Sequence, residues 1–333
     1  MKFMNLGSVR SHQVVTLCLF VLPCTLSAHH SVTAFYDRSV TSEVEGTVAS
    51  VFWRNPHIGI TILVENDQGE EEEWILQGGT YNDLVRRGFT KDMVQIGDRV
   101  LAVGAASRSG ENAIFLNSLL APDGEEILAV FGLTAPATTA EPVAGESPTG
   151  IFRVWVNGGR LYQLRAPLAL TPAAAAARAA WDPLTDDPGL RCEAPGMPNA
   201  ILNPYPIEFA DEGDSIRLII EEWDAVRVIH MNAEDDARSQ APSPLGYSVG
   251  RWQGRALVIE TSQVDWPFLD DKGAPQSESV EIVERITLSE DETRIDHELS
   301  VTDPQNLLEP AIWDSFWVYE SGAEIHPFEC ALQ

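Results

Sequence analysis

Polar and apolar residues alternate with a period of two through much of this chain. Val44, Gly46, Val48, Ser50 and Phe52 alternate with Glu45, Thr47, Ala49, Val51 and Trp53. Ile58, Ile60, Ile62 and Val64 repeat the pattern after an Asn55-Pro56 turn. Such alternation puts one set of side chains on each face of a strand. Further strands are predicted over 72–77, 99–105 and 113–120, with Asn66 to Gly69 as a hairpin turn. A short helix interrupts them: Thr80 with Asp83 three residues on resembles a capping box, and Gly88 supplies a stop. Three strands, a helix and two strands form the order of an OB-like five-stranded barrel, with an SH3-like barrel as the second choice.

From Leu133 to Gly150 the periodicity stops and Pro, Ala and Thr dominate, so 133–149 reads as a semi-extended linker between a first unit at 29–132 and a second at 150–333. The second unit opens on a helix, with Thr171 as N-cap, Pro172 at its first position and an alanine run to Trp181. An irregular Pro- and Gly-rich stretch covers 183–206. Strands then follow over 215–223, 225–231, 247–252, 255–262, 279–288, 292–301 and 311–320. Seven or eight antiparallel strands with one apolar face make a barrel or sandwich, lipocalin-like, and a barrel of that size can enclose a small ligand. The fold class is therefore mainly β, in two units.

Residues 1–28 stand apart. Lys2 and Arg10 precede the apolar run Val14 to Leu22, and Leu26-Ser27-Ala28 ends in a small residue, the pattern of a secretory signal peptide cleaved after Ala28. Pro23 disfavours a lipoprotein reading through Cys24. A periplasmic or secreted protein is expected. The whole chain has 22 Lys and Arg against 50 Asp and Glu. Cleavage would remove two of the bases, leaving 20 − 50 = −30. That charge argues against nucleic-acid partners and against an anionic membrane surface. Cleavage would also leave two cysteines, Cys192 and Cys330. In an oxidising compartment the pair reads as a disulfide closing a long loop, the alternative being two buried thiols.

Candidate chemistry sits in three places. Alternation turns Glu284 inward with Val280, Ile282 and Ile286, His297 inward with Ile295 and Leu299, and His230 inward with Val226 and Val228. A carboxyl in an apolar interior tends to a raised pKa, so Glu284 with either histidine is a candidate acid/base pair of the isomerase or hydro-lyase kind, or a satisfied structural group. Trp313, Trp317 and Tyr319 share a face of the last strand and can wall a pocket for a small, largely apolar ligand, with Asp265, Trp266 and Asp270 in the long loop over the mouth. Finally, a mature terminus at His29, with His30 and His57, offers the amine and imidazole nitrogens favoured by copper(II), the alternative being a solvated end and a turn histidine capping a backbone group. The Gly-x-Ser-x-Gly elbow, the phosphate loop, the dinucleotide fingerprint and Cys-x-x-Cys are absent. Ligand identity and oligomeric state are not encoded in any of these patterns.

Two resemblances accompany this reading. The first rests on His29-His30-Ser31, Gly46-x-Val48, Trp53-x-Asn55-Pro56-His57, Trp74, Leu84-x-Arg86-Arg87-Gly88, Gly97-Asp98 and Pro122-Asp123-Gly124. On these, residues 29–128 resemble a family of exported bacterial proteins classed as a domain of unknown function. The second rests on Cys192, Gly196-Met197-Pro198, Tyr205-Pro206, Gly250-Arg251-Trp252-x-Gly254, Leu257-Val258, Asp270, Glu284-Arg285 and Asp303-Pro304. On these, residues 192–303 are similar to another uncharacterised exported β-domain. That pattern has histidines where this chain has Gln276 and Glu281, and an acidic-Gly-Arg segment with His-Pro where this chain has Asn232 to Asp236. Neither resemblance implies a reaction.

Overall fold

A computed structural model describes residues 32–129, 150–158, 162–203, 205–232 and 239–331. Residues 1–28, read from sequence as a signal segment, His29, His30 and residues 133–149, read as a linker, lie outside the described residues. After a one-turn helix α1 (Val32–Phe35), the first unit consists of β1 (Tyr36–Phe52), β2 (Gly59–Glu65), β3 (Glu71–Gln77), helix α2 (Tyr81–Arg86), β4 (Arg99–Ser107), β5 (Ala113–Leu120) and β6 (Glu126–Ala129). The sheet order is β3-β2-β1-β4-β5-β6, and a parallel β3–β5 pairing closes the first five strands into a barrel. That closure, with the helix between β3 and β4, is the OB arrangement.

Val44, Gly46 and Val48 point into this barrel, as their spacing predicts. A bulge between Val48 and Ser50 then shifts the register against β2, leaving Ser50 exposed and Phe52 half-buried. The core is Ile58, Ile60, Ile62, Leu76, Val100, Ile114 and Leu116 with their neighbours. Thr80 caps α2 through its hydroxyl, which accepts from the Asp83 N–H at 3.2 Å.

The second unit contains β7 (Val154–Asn157), β8 (Gln163–Leu164), helix α3 (Pro172–Ala180), β9 (Ile207–Asp211), β10 (Ser215–Ile220), β11 (Ala225–His230), β12 (Tyr247–Gln253), β13 (Ala256–Ser262), β14 (Glu281–Leu288), β15 (Arg294–Thr302) and β16 (Ala311–Val318). The order β15-β14-β13-β12-β11-β10-β9-β7-β16 closes through a β15–β16 pairing into a barrel of nine strands, and β8 adds to β16. Two of those strands, β7 and β9, lie outside the strands expected from sequence, although in β9 buried Ile207 and Phe209 alternate with Glu208 and Ala210. One junction departs from an all-antiparallel barrel: β11 and β12 run parallel and pair only at Ile229–Ser248 and His230–Val249.

The nine-stranded barrel is filled. Trp155, Trp317, Ile286, Leu299 and Leu257 are 0% exposed, and Trp313 is 6% exposed. They belong to one continuous core. Burying a large aromatic or branched side chain contributes about 1.5–3 kcal/mol, so packing of this density outweighs any advantage of an open interior.

The two barrels meet along the C-terminal tail, which follows β16 and runs back to the first unit. Asn55 donates to the Phe328 carbonyl at 2.6 Å and to Asn82 Oδ1 at 3.0 Å. Asn82 donates to Glu221 Oε1 at 3.0 Å and to the Pro327 carbonyl at 3.2 Å. Glu221 also accepts from the His326 N–H at 2.9 Å and pairs with Arg86. These side chains are buried polar groups whose partners lie across the junction, so separating the barrels would leave them unsatisfied. A disulfide between Cys192 and Cys330, Cα atoms 5.9 Å apart, anchors the tail to the second unit, while Ala331 donates to the Asn55 carbonyl at 3.1 Å.

Candidate functional site

Glu284 and His297 face the barrel interior, as their alternation predicts; they are 0% and 1% exposed. His230 does not join them. On β11 the inward residues are Arg227 and Ile229, while Val226 and Val228 are 48% and 42% exposed. The expectation that the two valines and His230 point inward is therefore corrected. A buried carboxylate requires a cation more than the strand requires buried valines, and Arg227 supplies it. His230 stacks on Tyr247 at 4.5 Å and lines an outer groove at the β11–β12 junction.

The interior group is a chain of five connected side chains and a tyrosine. Arg227 donates to Ser248 Oγ at 2.8 Å, to Thr261 and to Glu284. His297 Nε2 lies 3.2 Å from the other oxygen of Glu284, and His297 Nδ1 meets the Tyr162 hydroxyl. Burial by itself would raise the Glu284 pKa. The Arg227 charge and then His297 outweigh it and bring the carboxyl down to about 2. Burial, and then the charge of Glu284, push the Tyr162 hydroxyl well above its usual range. A carboxylate held ionised at every ordinary pH, against a fixed guanidinium, is a poor proton donor or acceptor near neutrality. The expected raised pKa and acid/base role of Glu284 thus find no support in its surroundings, and the cluster serves to tie β11 to β15 from inside.

Trp313 and Trp317 also face inward, but into the filled core, where the Trp317 indole donates to the Tyr205 carbonyl at 3.3 Å. Tyr319 is half-buried and stands edge-on to Trp155 with Arg153 over its ring. The three aromatics are thus wall and core of a packed barrel rather than of a pocket.

A second opening lies elsewhere. A cleft of about 370 Å³ runs between the two barrels. The first unit contributes Arg38, the Pro56-His57 turn, and Thr80 and Asp83 at the start of α2. The second contributes Trp181 after α3, the turn at Asp187, Tyr205, Glu222-Trp223 between β10 and β11, and the β13–β14 loop from Trp266 through Asp271. Three of the residues singled out from sequence meet here: His57, Trp266 and Asp270. Asp265, next to Trp266, is exposed and does not line the cleft.

The indole walls are seated by backbone. A Cβ on Gly273, whose φ is +73°, would lie 2.2 Å from the Trp181 ring, and one on Gly196 would lie 2.5 Å from Trp266 Cβ. Phe268 stands edge-on between Trp181 and Trp266, with centroids 6.4 and 6.2 Å away. Also on the lining, Trp223 has φ +63°, and Asp224 beside it has φ +52°, two consecutive left-handed residues without glycine. Such strain persists only where the surroundings hold it. Here Phe328 packs on the Trp223 ring at 5.1 Å, and its N–H donates to Asp224 Oδ1 at 2.9 Å.

Glu222, 7% exposed, is the most perturbed acid of the cleft. Burial raises its pKa, the bond from Asn203 at 2.6 Å lowers it, and the charge of Asp271 raises it again, to about 8. Asp187 is also raised, by burial, with Asp271 again adding. Asp270 is held by Arg178 at 3.0 Å.

His57 donates through Nδ1 to the Gly78 carbonyl at 3.0 Å, which fixes its tautomer and matches the backbone-capping alternative. The other two members of the copper proposal, His29 and His30, lie outside the described residues. Among the described residues no group of three or more His, Cys, Asp and Glu has the arrangement of a metal site.

Sequence reasoning missed Trp181, Asp187, Tyr205, Glu222 and Trp223. One signal was available: Glu221-Glu222-Trp223-Asp224 places three acids at the end of an otherwise apolar strand, which a buried strand end does not tolerate without a reason.

Residues 18–115 match the model of a family of unknown function (DUF6152), a stretch that takes in β1 to β4 and the start of β5. No curated protein and no solved structure matches the chain.

Proposed function

We propose that this is an exported binding protein, periplasmic or secreted, that holds a small molecule with a largely apolar body in the cleft between its barrels. The observation that carries the reading is the wall of the cleft: Trp181, Tyr205, Trp223, Trp266 and Phe268 converge there with a buried carboxyl, Glu222, from the second unit, opposite His57 and Asp83 from the first. Ligand sites combine apolar walls with a few placed polar groups and favour domain junctions. The packed interior of the nine-stranded barrel speaks for the cleft as the site in preference to the barrel lumen. The Cys192–Cys330 disulfide and the leader-like segment at 1–28 support export.

No step of catalysis is assigned. Glu284 and His297 are locked to Arg227 and Tyr162 away from the cleft, so the acid/base role read for them from sequence is not assigned to the cleft. Native mass spectrometry of the purified protein tests the proposal. A co-purifying small molecule retained by the natural chain and lost from Asn203→Trp, which fills the cleft edge, is the expected result. Retention by Asn203→Trp together with loss from a variant inside the barrel would contradict it.

A further inference from the structure

We infer that the cleft selects an organic cation: an ammonium group on an apolar body. This rests on the cleft being the binding site, and deepens that reading by naming the ligand's charge.

The first observation is the imbalance of charge on the lining. Asp83, Asp187, Glu193, Glu222, Asp270 and Asp271 line the cleft, against one guanidinium, Arg38. Arg178 compensates Asp270, Arg86 compensates Asp83 and Arg191 compensates Glu193 from outside the lining. That leaves Asp187, Glu222 and Asp271, and the charge of Asp271 raises both of the others. An anion brought beside Asp187, Glu222 and Asp271 adds to that mutual cost, and a neutral polyol leaves it in place. A cation removes it.

The second observation is aromatic. Trp181, Phe268 and Trp266 stand in a row of edge-on pairs, and Trp223 and Tyr205 line the same cleft. Indole faces attract a desolvated cation through the ring quadrupole. An ammonium group answers the carboxylates and an apolar body answers the indoles.

Binding also carries a proton balance. Glu222 is protonated in the empty cleft at neutral pH, since its pKa lies at about 8. A cation beside it favours the carboxylate, so uptake of the ammonium releases a proton to solvent. Affinity for the cation therefore falls as pH drops below the Glu222 pKa, by up to about tenfold per pH unit, while affinity for a neutral analogue stays flat.

Three probes on one body decide the matter: para-methoxyphenethylamine, para-methoxyphenethyl alcohol and para-methoxyphenylacetate, titrated calorimetrically into the full mature protein from about pH 6 to about pH 9. The amine is expected to bind at least about tenfold tighter than the alcohol at the upper pH, with the acetate weakest. Glu222→Gln should lower amine affinity about tenfold there, flatten its pH dependence and leave the alcohol unchanged. Equal affinity for amine and alcohol, or displacement of the amine by glucose at lower concentration than by the alcohol, would overturn the charge assignment while leaving the cleft as a site. Absence of binding by all three overturns the assignment too; the mass-spectrometric comparison with Asn203→Trp then decides the cleft separately.

Discussion

Replacing Arg227 by Leu removes the cation from the interior of the nine-stranded barrel and leaves Glu284, 0% exposed, with His297 as its remaining ionic partner. The guanidinium bonds Ser248 on β12, Thr261 on β13 and Glu284 on β14 from its place on β11. Its loss unties four strands at the junction where β11 and β12 share only two paired positions. Breaking a buried pair by removing one partner costs about 3–5 kcal/mol, because the surviving charge is uncompensated. The cost depends on pH in a fixed direction. In the natural protein the Glu284 carboxyl lies at about 2 instead of 4.5. A depressed acid contributes stability that is present above the unfolded pKa and lost as pH falls through the folded one, here on the order of 3 kcal/mol between about pH 4.5 and pH 2.

In Arg227→Leu the same carboxyl is governed by burial, and its pKa rises. The destabilisation should be largest at about pH 8 and shrink as the solution is acidified and the carboxyl becomes neutral. Urea denaturation followed by tryptophan fluorescence at several pH values measures this. Arg227→Leu/Glu284→Leu should recover most of the loss, since two apolar residues can replace a buried pair nearly without cost. A single variant within about 1 kcal/mol of the natural protein at pH 8, or a double variant no more stable than the single, would refute the reasoning.

Other outcomes follow from the same geometry. Cys192→Ser/Cys330→Ser opens a loop with a sequence separation of 138 residues and should cost about 5 kcal/mol by chain entropy, measured as a fall in the denaturation midpoint under non-reducing conditions. Glu222 has the opposite pH sign to Glu284. Its folded pKa is raised from 4.5 to about 8, so stability is highest below the unfolded value and falls as pH climbs through that window, by on the order of 4 kcal/mol. Glu222→Gln should flatten that part of the stability profile. Gly273→Ala places a Cβ 2.2 Å from the Trp181 ring at a left-handed φ, and should cost about 1–3 kcal/mol and shift the Trp181 emission.

The parts of this molecule that follow from local periodicity are legible in its sequence. The order β1-β2-β3-α2-β4-β5 could be read from alternation and one N-cap, and the parity of the two cysteines beyond residue 28 pointed to their bond. Alternation also set Glu284, His297, Trp313 and Trp317 on their correct faces. It failed on β11, where exposed Val226 and Val228 border a groove and Arg227 faces in. Hydrophobicity alone ranks valine as the buried residue, and the deciding term was the long-range need of Glu284, 57 positions away, for a cation. The cleft was illegible for a related reason. Its walls come from turns at Pro56-His57, Asp83, Trp181, Asp187, Tyr205, Glu222-Trp223 and Trp266 to Asp271, none of them periodic. Their meeting depends on how the tail at His326 to Cys330 fastens one barrel to the other.

The most direct measurement is fluorine NMR on protein labelled with fluorotryptophan, titrated with small fragments of mixed charge. Six of the nine tryptophans report on the two places, Trp181, Trp223 and Trp266 on the cleft and Trp155, Trp313 and Trp317 on the barrel interior. If ligands occupy the space between the units, resonances of Trp181, Trp223 and Trp266 shift with saturation, while those of Trp155, Trp313 and Trp317 stay fixed. Shifts confined to the second set would place binding within the nine-stranded lumen and contradict the account.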